Sequence, residues 1–138
     1  MIKDFHVGVK GVIKVGNECL VLQKGTGSDA YWDVPGGRID NDETLENTLS
    51  RELNEELPSL KKYKVCGVLG AYRLSKNIID DKGLMLIFFS VEAEDFTVEL
   101  SSEHVDFKWV NKENVSELLK SDILIEKGYY DAIVKALD

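Results

Sequence analysis

The sequence has only two cysteines among its 138 residues, Cys19 and Cys66, and both lie in apolar runs typical of strands. Two cysteines in such runs do not indicate a disulfide framework. Residues 1–10 also lack the apolar stretch of a signal peptide. We therefore expect a reduced, cytoplasmic protein.

The sequence also lacks a surplus of basic residues and a long apolar run. It has 17 Lys and Arg against 25 Asp and Glu, which gives a net charge of −8. Nonspecific binding to a nucleic acid polymer or an anionic membrane requires a basic surplus that neutralises phosphates. The longest apolar run, residues 84–91, is far too short to cross a bilayer. We therefore expect no nucleic acid polymer and no membrane as partners, and a phosphate-bearing substrate would need a metal ion to approach.

The composition is typical of one globular domain. A chain of 138 residues with 43% hydrophobic and 30% charged residues can bury a genuine core as a single domain over residues 1–138. Apolar strand edges would permit a homodimer, but no feature of the sequence demands one.

The order of apolar and polar runs predicts an α/β fold. Runs rich in Val, Ile and Leu predict strands at Phe5–Val15 and Glu18–Lys24, joined by a hairpin turn at Gly16 and Asn17. Further strands are predicted at residues 31–34, 64–72, 84–93 and 105–110, with polar connections at 73–83 and 94–102. Residues 84–91 are apolar on both faces, as in a central strand. Helices predicted at residues 44–57, 111–120 and 122–137 complete an α/β/α sandwich around a mixed β-sheet.

Residues 35–58 pass from a glycine turn into an acidic helix. Asn41, Asp42 or Thr44 can cap the start of this helix, and Pro58 ends it. Every fourth position is leucine, which gives the helix one apolar stripe that packs against a sheet. The stripe consists of Leu45, Leu49, Leu53 and Leu57.

Another face of this helix carries three carboxylates. Glu52, Glu55 and Glu56 have the helical spacing i, i+3 and i+4, so their carboxylates converge. Crowded like charges need a compensating cation when they are partly enclosed, and hard oxygen ligands suit Mg²⁺ or Mn²⁺. A backbone carbonyl of Gly36 or Gly37 would be a further oxygen ligand. The alternative interpretation is an ordinary solvated acidic face.

The spacing of this segment resembles the signature of the Nudix hydrolases. From Gly37 there are five residues, then Glu43, then seven residues, then Arg51 followed by Glu-Leu-Asn-Glu-Glu. Trp-Asp-Val-Pro-Gly at residues 32–36 is similar to the lead-in of that family. Pro58 and Ser59 depart from the signature, because the family has a glycine and then a hydrophobic residue there. Proline cannot adopt the left-handed cap of a glycine, so the turn after the helix must be built differently.

The resemblance implies a hydrolase that cleaves the pyrophosphate linkage of a nucleoside diphosphate derivative with Mg²⁺ or Mn²⁺. It implies that Glu43 and Arg51 orient the acidic face, and that a Glu before the strand at 105–110 joins the metal ligands. Glu103 is our candidate for that Glu, with Glu99 as the competitor. Glu52 is the first candidate for the general base, ahead of Glu55 and Glu103. The implied metal ligands are Gly36 through its carbonyl, Glu52, Glu55, Glu56 and Glu103.

Four residues around the glycine turn are candidates for substrate contacts. The guanidinium of Arg38 matches phosphate oxygens, and Gly37 lies in the turn itself. Lys24 begins a polar loop over residues 24–30, and loops held by a scaffold often bind ligands. Trp32 could stack on a base, although packing is the favoured alternative for a Trp beside a turn.

Two family markers of substrate choice are missing downstream of the signature. Within the family, a proline in that region resembles ADP-ribose enzymes and a tyrosine resembles dinucleoside polyphosphate enzymes, whereas Ser75 and Lys76 occupy those neighbourhoods here. Nucleoside triphosphates, oxidised ones included, and nucleotide sugars remain as the expected substrate classes. The alternative function is a catalytically silent Nudix-fold module that senses a ligand or binds a protein. Such domains usually lose a signature glutamate, and all are kept here.

Overall fold

The computed structural model of the protein describes residues 1–75 and 80–138, so the neighbourhood of Lys76 lies outside the described residues. The strands are β1 (Phe5–Val15), β2 (Glu18–Lys24), β3 (Tyr31–Asp33), β4 (Gly36–Arg38), β5 (Tyr63–Arg73), β6 (Gly83–Ala93), β7 (Asp106–Val110) and β8 (Leu124–Ile125). The α-helices are α1 (Leu45–Glu56) and α2 (Lys127–Leu137), and 3₁₀ turns lie at Gly27–Asp29 and Val115–Leu119.

Strand β1 is central to the sheet and pairs with β2, β4 and β6. It pairs in parallel with β6 from Phe5 to Lys14, and the sheet order is β5-β6-β1-β2-β3-β8. On its other side β1 pairs with β4 at its start and with β2 at its end, both antiparallel. Strand β7 pairs with β2, also antiparallel. The sheet is therefore mixed, as predicted.

The two α-helices cover opposite faces of the sheet. Helix α1 packs Leu49, Leu53 and Leu57 against the core on one face. Helix α2 packs Ile133 and Leu137 against the core on the other. Strand β6 contributes alternate residues to both cores, because side chains alternate across a strand, so its prediction as a central strand is confirmed. The α/β/α sandwich is confirmed as well.

Both ends of α1 have identifiable caps. At the start, the Thr44 side chain accepts a hydrogen bond from the backbone N–H of Asn47 at 3.1 Å. At the end, the N–H of Leu60 donates to the carbonyl of Leu57 at 3.0 Å and closes a turn with Pro58 at its second position. That position favours the fixed φ of proline. A proline turn thus replaces the glycine cap of the Nudix signature.

The predicted helix over residues 122–137 is wrong in its first part. Leu124 and Ile125 form β8, which pairs in parallel with Tyr31 and Trp32, and α2 begins only at Lys127. Pairing with β3 satisfies the backbone of this segment and overrides its helical pattern. The predicted helix over 111–120 is also too long, since only Val115–Leu119 forms a 3₁₀ turn.

The predicted polar connection over residues 94–102 is wrong in character. Phe96, Val98 and Leu100 pack against the core on the α1 face. The hydroxyl of Ser59 donates to the carbonyl of Thr97, so the turn after α1 is tied to this segment. Residues 94–102 are therefore a connecting segment that packs on the core between β6 and Glu103.

Two further findings concern membrane-spanning helices and the state of the cysteines. Among the described residues, no helix is long and apolar enough to cross a membrane. Cys19 and Cys66 are both free thiols, one buried and one exposed.

Replacing Pro58 by glycine tests the turn that ends α1. We expect Pro58→Gly to lower the free energy of unfolding by about 1 kcal/mol, because glycine increases the conformational freedom of the unfolded chain. Urea denaturation measures the change, with Pro58→Ala as the intermediate control. A Pro58→Gly protein more stable than wild type would show that the proline turn is strained.

Candidate active site

The glycine turn receives two carboxylates from α1. Gly36 has φ +147°, and a Cβ there would overlap the carbonyl oxygen of Val9, so only glycine fits. Its N–H donates to Oε2 of Glu56 at 2.7 Å. A Cβ on Gly37 would overlap the carboxylate of Glu52, which therefore lies directly against that residue. The absence of side chains at Gly36 and Gly37 therefore allows both carboxylates of α1 to lie against the turn.

Arg51 holds the outer carboxylates in order. Its Nε and Nη2 bind the two oxygens of Glu43 at 2.8 and 2.9 Å, and its Nη1 binds Oε1 of Glu52 at 2.9 Å. The same Nη1 lies 3.7 Å from Oε1 of Glu55. The hydrogen bonds from Arg51 hold the pKa of Glu43 at about 2. Arg51 therefore links Glu43 to Glu52, and the orienting role of Glu43 and Arg51 stays a prediction.

The inner carboxylate, Glu56, meets a group from the loop before β7. Ligand atoms of Glu56, Glu103 and His104 lie within 4.8 Å of one another. Glu103 is therefore brought to the site, whereas Glu99 does not belong to this group of described residues. Glu52 and Glu55 lie outside it as well, on the Arg51 side. The structure thus arranges the predicted metal ligands as an inner pair and an outer pair.

Glu56 is only 2% exposed, and this burial is its main electrostatic feature. The pKa of Glu56 is raised to about 8, chiefly by burial and also by the charges of Asp33 and Glu52, against the lowering effects of Lys10 and the Gly36 N–H. A carboxylate in this position lacks sufficient positive charge around it. The crowded oxygen donors fit a hard dication such as Mg²⁺ or Mn²⁺.

A buried polar network lies behind Glu56. Lys10 donates to Oδ1 of Asp33 at 3.0 Å and to the carbonyl of Val34 at 3.2 Å. The other oxygen of Asp33 lies 3.1 Å from Nε2 of His104, which is itself 3.8 Å from Oε1 of Glu56. Burial alone would raise the pKa of Asp33, but Lys10 and His104 hold it at about 2. Asp33 is therefore an ionised acceptor in this network.

A cleft of about 700 Å³ opens beside the glycine turn. Four of the sequence-predicted residues line it, namely Lys24, Gly36, Gly37 and Arg38. Aromatic rings of Tyr31, Tyr72 and Tyr129 contribute to its walls. The Tyr72 hydroxyl donates to Oε2 of Glu126 at 2.9 Å, directly before α2. The cleft thus combines cations, aromatic faces and a fixed carboxylate.

Comparison with known families agrees with the resemblance of the sequence to the Nudix signature. Residues 4–131 match the family model described as the NUDIX domain. The chain belongs to the Nudix family. Its helix α1 and the turn before it are the Nudix signature that the sequence resembles.

Individual relatives are distant. An RNA pyrophosphohydrolase from Wolbachia pipientis subsp. Culex pipiens (strain wPip) is 27% identical over 141 residues, which cover 94% of this chain and 85% of the relative. An 8-oxo-dGTP diphosphatase from Proteus vulgaris is 32% identical over 57 residues, which cover 40% of this chain and 51% of the relative. The crystal structure of a MutT protein from Methanosarcina mazei Go1 has a TM-score of 0.73 at 24% identity and covers 100% of this chain and 96% of its own.

Trp32 requires a correction to its assignment as a substrate-binding residue. Its side chain belongs to the core on the α2 face and is 7% exposed, and it does not line the cleft. Strand β3 directs Trp32 inwards while its neighbour Tyr31 is exposed, since alternate residues face opposite ways. The packing alternative is the one that the structure shows.

Several residues that the structure places in or behind the Nudix site were not expected from the sequence. They are Lys10, Asp33, Tyr72, His104 and Glu126. One signal was available, because Lys10 interrupts an apolar strand and a buried lysine needs a partner. Its partner Asp33 lies within the quoted Trp-Asp-Val-Pro-Gly segment. The contact between His104 and Asp33 gave no local signal.

The raised pKa of Glu56 predicts how stability depends on pH. Its folded-state pKa is about 8 against an ordinary 4.5, so the unfolded chain releases this proton first as pH rises. The stabilising contribution of the neutral carboxyl is complete below about pH 4.5 and is lost progressively as pH rises to about 8. In EDTA, we expect the Tm of wild type to fall relative to that of Glu56→Gln by about 5 °C or more between pH 5 and pH 8.

Differential scanning fluorimetry measures this difference. Glu55→Gln is the control, because its side chain is 58% exposed on the same helix. Equal pH dependence of wild type and Glu56→Gln would contradict the burial argument.

Proposed function

We propose that this Nudix protein hydrolyses a phosphoric anhydride bond of a nucleoside triphosphate, oxidised ones included, with Mg²⁺ or Mn²⁺. The observation that carries the proposal is the meeting of Glu52 and Glu56 with the glycine turn at the wall of a cleft lined by Arg38 and Lys24. Nucleotide sugars are the second substrate class of the same chemistry.

The carboxylates Glu52, Glu55, Glu56 and Glu103, together with the Gly36 carbonyl, would hold the dication. When bound, such an ion neutralises phosphate charge and lowers the pKa of water. The protein contributes the fixed placement of these oxygens, because Gly36 binds Glu56 and Arg51 binds Glu52. Preorganised charge of this kind is the main source of catalysis in phosphoryl transfer.

A carboxylate that is not fully occupied by metal would accept the proton of the attacking water. Glu52 remains our first candidate, since one of its oxygens binds Arg51 and the other is left for this role. Glu55 and Glu103 are the alternatives, and both are exposed.

The cleft supports a nucleotide as the substrate. Arg38 lines both the cleft and a polar recess shared with Arg51 and Glu52, so it is our candidate for contact with the phosphates. Tyr31 and Tyr72 offer aromatic faces on which a base can stack. The volume of about 700 Å³ lies within the range of small-ligand sites.

The relatives suggest two forms of triphosphate. The 8-oxo-dGTP diphosphatase from Proteus vulgaris supports a free, oxidised nucleotide, although its match covers 40% of this chain. The Wolbachia RNA pyrophosphohydrolase covers 94% of this chain and supports the triphosphate end of an RNA as a second candidate. The net charge of −8 opposes binding of a polymer and favours the free nucleotide.

The alternative from a different class is a Nudix module without catalysis. Retention of Glu52, Glu55 and Glu56 on an ordered helix speaks against it. We further propose a cytoplasmic location, which fits the two free thiols. A homodimer remains compatible with the fold.

A hydrolysis screen over nucleoside triphosphates, nucleotide sugars and a triphosphorylated RNA, with the products identified by chromatography, tests the function. We expect hydrolysis of a nucleoside triphosphate with Mg²⁺ or Mn²⁺, and a loss of about 1,000-fold or more in kcat for Glu52→Gln and Glu56→Gln. Circular dichroism checks that both variants are folded. Near-normal activity in both would defeat the site assignment, and turnover of RNA alone would select the second candidate.

Gly37→Ala tests the close approach of Glu52. The added Cβ overlaps only the end of a flexible side chain, so the fold should persist while the carboxylate moves. We expect a loss of about 100-fold in kcat, the usual effect of a small misplacement in an active site. Gly70→Ala is the matched control because a Cβ there meets open space. Unchanged turnover in Gly37→Ala would show that the position of Glu52 is not critical.

A further inference from the structure

Four charged or titratable side chains are buried together although the core around them is apolar. Lys10, Asp33, Glu56 and His104 are 9%, 4%, 2% and 4% exposed. They come from β1, β3, α1 and the loop before β7, so the cluster joins four separate parts of the fold. Burial of a charged pair is often no better for stability than well-packed apolar residues. Stability alone therefore does not explain this cluster.

The hydrogen bonds of the cluster fix the orientation of His104. Lys10 and the N–H of Val34 both bind Oδ1 of Asp33, at 3.0 and 2.9 Å, so Oδ2 is left for His104 Nε2 at 3.1 Å. Because Asp33 is an acceptor, Nε2 must carry the hydrogen. The ring is thereby held with Nε2 3.8 Å from Oε1 of Glu56.

Glu56 is confined between two groups. The N–H of Gly36 holds Oε2 at 2.7 Å, and the ring of His104 borders Oε1. Lys10 donates its hydrogen bonds to Asp33 and Val34, so among the residues described no lysine amine forms a direct ion pair with Glu56. The carboxylate is thus oriented without being neutralised by a direct ion pair.

His104 also anchors Glu103. Between residues 101 and 105, His104 is the buried side chain, while Glu103 and its other neighbours are exposed or half-buried. Backbone hydrogen bonds also hold this loop, from the N–H of His104 to the Ser101 carbonyl at 3.4 Å and from the N–H of Val105 to the Gln23 carbonyl at 3.0 Å. Within residues 101–105 the imidazole is the side chain that reaches the core, so it ties the placement of Glu103 to that of Glu56.

We propose that His104, held through Asp33 by Lys10, is a positioning residue that sets the relative placement of Glu56 and Glu103 and thereby the affinity of the site for a dication. The inference rests on the proposed function in one respect, because it takes the bound dication to be the Mg²⁺ or Mn²⁺ of that function. His104 does not line the cleft, whereas Lys10 and Asp33 do, so the substitutions are made at His104 to separate binding of the dication from binding of the nucleotide.

Substitutions of His104 separate this role from simple packing. Glutamine reaches far enough to place an amide N–H near the position of Nε2, whereas asparagine does not. We expect His104→Asn to weaken Mn²⁺ binding about 10- to 100-fold, the usual effect of losing a group that orients metal ligands, and His104→Gln to bind Mn²⁺ close to the wild-type value. Electron paramagnetic resonance of free Mn²⁺ measures both.

Ile133→Val is the control for loss of core packing. Ile133 is 1% exposed and belongs to the core on the opposite face of the sheet. We expect this variant to bind Mn²⁺ normally. With Mn²⁺ saturating, we expect the KM of His104→Asn for a nucleoside triphosphate to be unchanged, with the defect confined to the Mn²⁺ concentration that gives half-maximal rate.

A measurement on the wild-type protein keeps the proposal testable if His104→Asn does not fold. The ¹⁵N shifts of the imidazole should show hydrogen on Nε2 and should move as Mg²⁺ is added. Unchanged shifts at saturating Mg²⁺ would overturn the proposal. So would wild-type affinity for Mn²⁺ in folded His104→Asn, or equal weakening in Ile133→Val. Nucleotide hydrolysis by wild type together with any of these results would overturn the positioning role and leave the proposed function standing.

Discussion

The burial of the Glu56 carboxyl is the constraint on which the rest of the site depends. A carboxylate with 2% exposure loses its hydration, and a single N–H from Gly36 at 2.7 Å replaces only part of it. The fold also brings Glu103 and Glu52 towards it, and Lys10, which lowers its pKa, is hydrogen-bonded to Asp33 and Val34 and not to Glu56 itself. Stability alone would favour a direct ion pair or an apolar residue at this position, whereas the arrangement fits the binding of an external cation.

Strand β1 contacts both the glycine turn and the buried residues around Glu56. Its segment Gly8–Lys10 pairs with β4, which carries the glycine turn, and the same segment supplies Val9 beneath Gly36 and Lys10 behind Glu56. The leucine stripe of α1 packs on the same sheet and fixes the height of the glutamates above the turn. Core packing and site geometry are therefore determined by the same few residues, and a shift of α1 would alter both.

The elements that are governed by local chemistry could be predicted from the sequence. Thr44, the leucine stripe and Pro58 fix α1 to within a residue at each end, and Gly16 with Asn17 fixes the first hairpin. Elements that depend on distant partners could not. Residues 124–125 have helical spacing but pair with β3, and His104 contacts Asp33 across 71 positions of sequence. Without the topology, neither Lys10 nor His104 could be joined to the signature, although the carboxylates themselves were found by spacing.

Two charge networks flank the signature glutamates, and their burial gives them different roles. The outer one, Arg51 with Glu43, Glu52 and Glu55, is partly solvated, and its side chains are 13 to 58% exposed. Water and salt screen such pairs, so they contribute mainly orientation and little stability. The inner one, Lys10 with Asp33 and His104, is shielded from solvent, and loss of one partner would leave an uncompensated charge in the core. The outer network has one guanidinium against three carboxylates, so it keeps negative charge that a cationic ligand could compensate.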